Sequence, residues 1–227
     1  MDPFRALSSS ERTTLHRLRE RGLTDRAALH AVLDAGLICH LGVVIDGSPA
    51  VLPTGYGRIG DTLYLHGSSA NRSLQSAAGQ EVCVTVTLID GLVYARSVFH
   101  NSMNYRSAVI YGVPQLVTDE TERLDAVHAI TEQLAPGRWA HSRQPTRKEM
   151  AATAVLALPL DEASVKVRTG WPKDDDEDYD LDIWAGVLPA ALTFGPAVPD
   201  PQLRQGIAMP EHVAELQWRA RGGRQAG

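Results

Sequence analysis

The chain has 227 residues, 44% hydrophobic, with 22 basic and 27 acidic residues for a formal charge of -5. This composition suits a globular domain with extensions, and its lack of a net positive field argues against sequence-independent nucleic-acid binding. The apolar run Leu37 to Ile45 is broken by His40 and falls short of the roughly 18 to 20 residues that span a bilayer, so no membrane partner is expected.

The N-terminus is polar and has no apolar core or cleavage site of a signal peptide, which implies a cytoplasmic address. Residues 1–23, with Leu7, Leu15, Leu18 and Leu23 as their apolar points, read as an arm or weak helix. A single domain is expected over 24–195. Thr24 or Asp25 caps a short helix with Leu29, Val32 and Leu33 on one face, and Gly36 stands where a left-handed residue would end it. Leu37 to Ile45 is a strand, Asp46-Gly47 a hairpin turn, and Ala50 to Tyr56 a second strand in which Pro53 marks an edge or bulge.

Gly60-Asp61 turns the chain into a strand over Thr62 to His66, and Ser69 to Ala78 reads as a short helix closed by Gly79. The clearest period-2 pattern runs from Val82 to Leu88. Asp90-Gly91 predicts a turn, Leu92 to Val98 a strand, and Tyr105 to Val117 a long strand bending near Gly112 and Pro114. Asp119 with Glu122 makes a capping box for a helix to Leu134, with Leu124, Val127, Ile130 and Leu134 inward. Arg147 to Ala152 reads as a helical turn or two, followed by strands over Ala154 to Leu160 and Ser164 to Thr169. Lys173 to Asp182 reads as a solvated acidic loop, and 196–227 as an extension in which Val213 and Leu216 to Trp218 suggest a docked helix. Closely spaced strands with few helices give a mainly β fold with helices (α+β), an antiparallel barrel rather than a Rossmann sheet.

The familiar nucleotide, metal and nucleophile motifs are absent. Cys39 and Cys83 lack C-x-x-C spacing and read as buried thiols, so no metal site is expected. Three segments carry polar chemistry. In the first, His66-Gly67-Ser68-Ser69 leads through Asn71 to Arg72. Either helix N-H groups, both hydroxyls and Arg72 converge on a phosphate, or a serine is only an N-cap and Arg72 is solvated. In the second, Arg96, Ser97, His100, Asn104, Tyr105 and Arg106 crowd between two strands, as a pocket for a polar, planar or anionic ligand or as surface ornament. In the third, Lys166 and Arg168 share a strand face, as surface charges or, with Trp171 or Trp184, as the cover of a bound ring.

Taken together, Leu37-Ile-Cys-His-Leu-Gly, Tyr64-Leu-His-Gly-Ser, Thr85-Val-Thr-Leu-Ile-Asp-Gly-Leu-Val-Tyr-Ala-Arg-Ser, His100-Asn-Ser-Met-Asn-Tyr-Arg-Ser, Lys166-Val-Arg-Thr-Gly and Trp184-Ala-Gly-Val-Leu-Pro closely resemble the pyridoxamine 5'-phosphate oxidase-like flavoproteins. The branch they resemble is the nitroimidazole-reductase-related one, over roughly residues 25 to 195. The resemblance implies a split β-barrel that binds FMN at a homodimer interface and reduces a small-molecule substrate such as a nitro compound. It places Val51, Leu52, Pro53 and Thr54 along the flavin ring, with Gly67, Ser68, Ser69 and Arg72 at the phosphate. Arg96 and Ser97 lie near the flavin, Asn104, Tyr105 and Arg106 complete the pocket, and Lys166, Arg168 and Trp184 come from the partner chain. His66 matches the active-site histidine of that branch, implying that it orients substrate or supplies a proton. Related barrels bind haem, for which His40, His66 or His100 are the candidate ligands, and a non-catalytic flavin-binding module is the remaining alternative.

Overall fold

A computed structural model describes residues 6–7, 10–216 and 220–221; the expected helical residues Gln217 and Trp218 lie outside them. The described residues of the arm form no α-helix. Residues 6 and 7 bridge to the entrance of the first helix through Ala6 and Asp25 and through the bond from the Leu7 N-H to the Thr24 carbonyl. Arg12 then ties the arm to Glu81 and Glu162, 2.7 Å from each. One 3-10 turn precedes β1 (Gly22–Leu23).

Helix α1 (Arg26–Ala35) starts as expected, with the Asp25 side chain accepting from the Ala28 N-H at 2.7 Å. It buries Leu29, Val32 and Leu33 and also Arg26. Gly36 is extended, with φ -77°, so left-handed freedom is not what this position needs. A Cβ there would sit 2.5 Å from the Tyr56 hydroxyl and 2.7 Å from Val86, and the requirement is therefore close packing.

Strand β2 (Ile38–Ile45) turns through Asp46 and Gly47, at φ 50° and 77°, into β3 (Ser48–Ile59). Two consecutive positive φ angles are what a type I′ hairpin turn demands. Next come β4 (Thr62–Ser68), α2 (Arg72–Ala77), β5 (Val82–Tyr94), β6 (Ser102–Gly112) and β7 (Gln115–Leu116). Asp90-Gly91 is not a turn, because β5 runs straight through it. The glycine is required instead by a neighbouring backbone, since its Cβ would lie 2.9 Å from the Leu188 carbonyl oxygen.

Helix α3 (Glu120–Leu134) is capped by Asp119, which accepts from the Glu122 N-H at 2.8 Å. The Glu122 carboxylate accepts from the Tyr64 hydroxyl at 2.9 Å. The buried residues of α3 are Ala126 and Ile130, whereas Leu124 and Leu134, expected inward, are exposed. Gly57 lets α3 approach β3, since a Cβ there would come within 2.5 Å of the Ile130 nitrogen. The chain ends with α4 (Arg147–Ala151), β8 (Thr153–Pro159), β9 (Glu162–Arg168), β10 (Gly186–Pro189), β11 (Leu192–Thr193), α5 (Glu211–Leu216) and β12 (Ala220–Arg221).

The mainly β, antiparallel architecture expected from the strand spacing is present. Ten strands form one sheet in the order β1-β9-β6-β5-β2-β3-β4-β8-β7, with β10 beside β5, and the path stays open. The main core gathers Leu29, Leu33, Leu41, Tyr56, Leu63, Leu65, Val84, Ile110, Leu156 and Leu158. A smaller cluster around Tyr64, Val117, Ala126, Ile130 and Val155 seats α3. The chain divides into two compact units, Met1–Leu88 with Tyr105–Arg168 and Ile89–Asn104 with Thr169–Gly227. No helix among the described residues is long and apolar enough to cross a membrane.

Candidate functional site

The predicted site residues are distributed over both units. In the first, β3 pairs with β2 from Ser48 to Gly55, whereas its pairing with β4 covers only Tyr56 to Ile59. Residues 51–54 therefore have a strand on one side only, which accommodates Pro53 and leaves a backbone edge open to a ring with hydrogen-bonding atoms. Val51 is 68% exposed and Pro53 is exposed, while Leu52 packs on the main core and Thr54 is half-buried.

His66 shares a face of β4 with Tyr64 and stands opposite Val155 on β8. Its Nδ1 is buried without a hydrogen-bond partner, and burial pushes the imidazole below its ordinary pKa. A neutral ring at physiological pH is a proton acceptor or a ligand. At Gly67 a Cβ would meet Leu74 at 2.8 Å.

The helix start predicted at Ser69 needs correction. Helix α2 begins at Arg72, and Asn71 is its cap, accepting from the Ser73 and Leu74 N-H groups at 2.9 and 3.2 Å. Those donors are thus already used. The Ser68 hydroxyl accepts from the Ala70 N-H at 3.2 Å, the Ser69 backbone bonds to Ala152 and Gln75, and Arg72 pairs with exposed Asp46. An anion here would be held by Arg72 and the Ser69 hydroxyl, with Asp46 displaced.

Tyr105, Arg106, Lys166 and Arg168 meet across the β6 and β9 pair, Tyr105 facing Arg168 and Ser107 facing Lys166. Arg168 is buried, so it is not the surface charge that the alternative reading made it. Burial and the nearby Arg21 lower its pKa, partly offset by Tyr105. Both cysteines are free. Cys39 is buried, with burial pushing its thiol up to about 12, while Cys83 is only half-buried.

The second unit contains the residue that the sequence reading missed. Asp174 lies in the segment read as solvated, yet its side chain has 0% exposure. Its Oδ1 accepts from the Arg96 N-H at 2.9 Å and the Ser97 N-H at 3.1 Å, and its Oδ2 from Arg96 Nη1 at 3.2 Å. Burial raises the Asp174 pKa, but these donors outweigh it and hold the carboxyl below its ordinary value. Arg96 also stacks over Tyr179, 4.8 Å from the ring centre.

His100 Nδ1 is buried without a hydrogen-bond partner, 3.7 Å from the Asp174 carboxylate. The Ser97 hydroxyl accepts from the Phe99 N-H at 3.4 Å, capping the 3-10 turn that carries His100. Asn104 donates to the Gly170 carbonyl at 3.1 Å. Trp184 lies 5.9 Å from Tyr94, ring centre to ring centre, and a Cβ on Gly186 would reach 2.9 Å from its indole. Phe99 is 96% exposed, and Val98, Trp171 and Trp184 are exposed as well, an apolar surface unusual for a protein that leaves it bare. His100, Asp174 and Asp178 present oxygen and nitrogen atoms within 4.8 Å of one another. Asp174 is, however, already bonded to Arg96, whose positive charge opposes a metal ion there.

The profile of the family described as pyridoxamine 5'-phosphate oxidase matches residues 25–167. Among solved structures, the flavocytochrome Anf3 from Azotobacter vinelandii is 40% identical, covering 92% of this chain and 98% of that one at a TM-score of 0.86. An FAD and haem binding protein from Mycobacterium smegmatis is 38% identical, covering 87% and 98% at a TM-score of 0.83. A putative 5-nitroimidazole antibiotic resistance protein from Bacteroides thetaiotaomicron, 22% identical over 64% of this chain and 86% of that one, shares the fold at a TM-score of 0.55. No curated protein matches the chain.

Proposed function

The chain belongs to the pyridoxamine 5'-phosphate oxidase family, and we propose that it is a flavin- and haem-binding oxidoreductase of the flavocytochrome type. The observation that carries this reading is its kinship, over nearly their whole length, with two proteins named a flavocytochrome and an FAD and haem binding protein. The second name favours FAD over the FMN expected from the sequence, and haem becomes a companion of the flavin rather than its alternative.

The residues fit both groups. The open edge of β3 at 51–54 suits a flavin ring, and Arg72 with the Ser69 hydroxyl suits its phosphate end. For haem, His100 offers a ring with an orphaned Nδ1 near a carboxylate and exposed Val98 and Phe99 beside it. A carboxylate behind a histidine fixes which nitrogen is left to ligate iron. When bound, the flavin would supply one- and two-electron chemistry and the haem one-electron chemistry. His66, kept neutral by burial, orients the small organic substrate or holds its proton.

The exposed face of β2 and β3, with Ile38, Val44 and Val51 around His40, is the surface that a second copy of the chain would cover. The free cysteines suit the reducing cytoplasm. The test is the absorption spectrum and light-scattering mass of the purified protein, with His66→Ala and His100→Ala. The expected result is a dimer with both a flavin spectrum and a Soret band. His100→Ala loses the Soret band and keeps the flavin, while His66→Ala keeps both chromophores and loses reduction of nitro compounds or quinones. A colourless protein that rebinds neither cofactor overturns the reading, and a Soret band unchanged in His100→Ala removes that residue from the iron.

A further inference from the structure

We propose that the cleft between α2, β7 and β8 in the first unit, which meets the proposed phosphate end of the flavin site at Ser69, is a second ligand site, selective for a small amphipathic monocarboxylate. The cleft holds about 550 Å³, within the range of small-molecule sites. Leu74, Ala78, Leu116, Ala154 and Leu156 give it apolar walls, and Arg123 is its sole charged lining residue. A second cleft of about 440 Å³ adjoins it and shares Arg123 and Ala151.

The electrostatics of Arg123 single out the occupant. Arg58 and Arg143 each pair with a carboxylate, Asp34 and Glu149 respectively. Among the described residues Arg123 pairs with none: its Nη2 donates to the Met150 and Thr153 carbonyls, and no described residue accepts from its Nε or Nη1. A half-buried guanidinium lacking a counter-charge beside an apolar wall favours an anion whose body is apolar. The single cation matches a single negative charge. The adjoining cleft presents Arg123 together with Glu120 and Arg147, whereas the inner cleft presents it with no carboxylate among the lining residues.

Octanoate, titrated calorimetrically into the holoprotein with octanol as its uncharged twin, tests the site. Octanoate is expected to bind at least about tenfold more tightly than octanol, and Arg123→Met to lose that difference while keeping flavin and haem content unchanged. Because Arg123 also bridges two backbone carbonyls, Ala154→Phe serves as a second variant that fills the cleft and leaves the cation in place. It should abolish binding of both probes with an unchanged circular dichroism spectrum. Equal affinity for the two probes, or binding that survives Ala154→Phe, overturns the proposal. Loss of flavin from Arg123→Met also overturns it, by making the cleft part of the cofactor site.

Discussion

Asp61→Asn is expected to destabilise the protein by about 3–5 kcal/mol, the cost of leaving a buried cation without its partner. Arg26 is 2% exposed and lies 3.0 Å from the Asp61 carboxylate, with the Leu160 carbonyl at 3.2 Å as its other acceptor. Its Nε is buried without an acceptor, so the guanidinium has little other compensation. For a chain of this length the loss corresponds to a fall in Tm of roughly 6 to 20 °C. The double variant R26M/D61N removes the cation as well and should recover most of the loss, because an uncharged pair of similar volume has no desolvation penalty.

The same pair sets an acid limit. Burial raises the Asp61 pKa, but bonds from Arg26 and from His30, whose Nε2 is 2.9 Å away, outweigh it and lower the carboxyl below its ordinary value. The folded state therefore binds this proton less readily than the unfolded chain. Its contribution is present in full above the unfolded carboxylate pKa of about 4 and is lost as pH falls through the folded value. Thermal melts from pH 7 to pH 3 should show the gap between wild type and Asp61→Asn narrowing toward the acid end. A constant gap, or a Tm unchanged by the substitution, would show that Asp61 does not stabilise Arg26.

Where local chemistry decided the structure, the sequence was readable. Asp25 and Asp119 act as caps because each has a helix N-H three residues ahead, and Asp46-Gly47 turns because both positions adopt positive φ. Where a remote segment decided it, local reading failed. The helix does end at Gly36, but the glycine there makes room for the Tyr56 and Val86 side chains and is not left-handed, and Gly91 makes room for the Leu188 carbonyl and is no turn. The inner face of α3 was only partly legible. Val127 and Ile130 face the sheet as expected, but close approach at Gly57 puts Ala126 there as well, while Leu124 and Leu134 stay exposed, Leu134 against Gly55 at the strand's side.

The site was legible in composition and illegible in partnership. The density of Arg, Ser, His and Asn between residues 96 and 104 suggested a ligand pocket, and the structure gathers Arg96, Ser97 and His100 around Asp174. Nothing in a run of seven acidic residues between 174 and 182 marks which carboxylate is buried, since all carry the same charge and neighbouring polarity. One cue was available: an arginine close to exposed aromatic residues needs a counter-charge, and this acidic run supplies one.

Asp174 holds that cluster together, and its two oxygens allow its charge to be separated from its hydrogen bonds. Oδ1 receives both backbone N-H groups, Arg96 and Ser97, whereas Oδ2 faces the guanidinium. Asp174→Asn can keep the first oxygen and replaces the second with a donor facing Arg96, while Asp174→Ala removes both. Native-state hydrogen exchange at the Arg96 and Ser97 amides should therefore accelerate about ten- to a hundredfold in Asp174→Ala, the range expected for losing hydrogen bonds to a charged acceptor. Asp174→Asn should retain most of the protection and lose the ion pair with Arg96. Because the carboxyl is held below its ordinary pKa, the wild-type contacts persist through neutral pH and open only as acid protonates Asp174. His100 follows the same loop, 3.7 Å from Oδ1, so the Soret band assigned above to His100 should weaken in Asp174→Ala far more than in Asp174→Asn. Unchanged amide exchange in Asp174→Ala would mean that Ser97 and the 3-10 turn hold the loop by themselves, and the buried carboxylate would then have no positioning role.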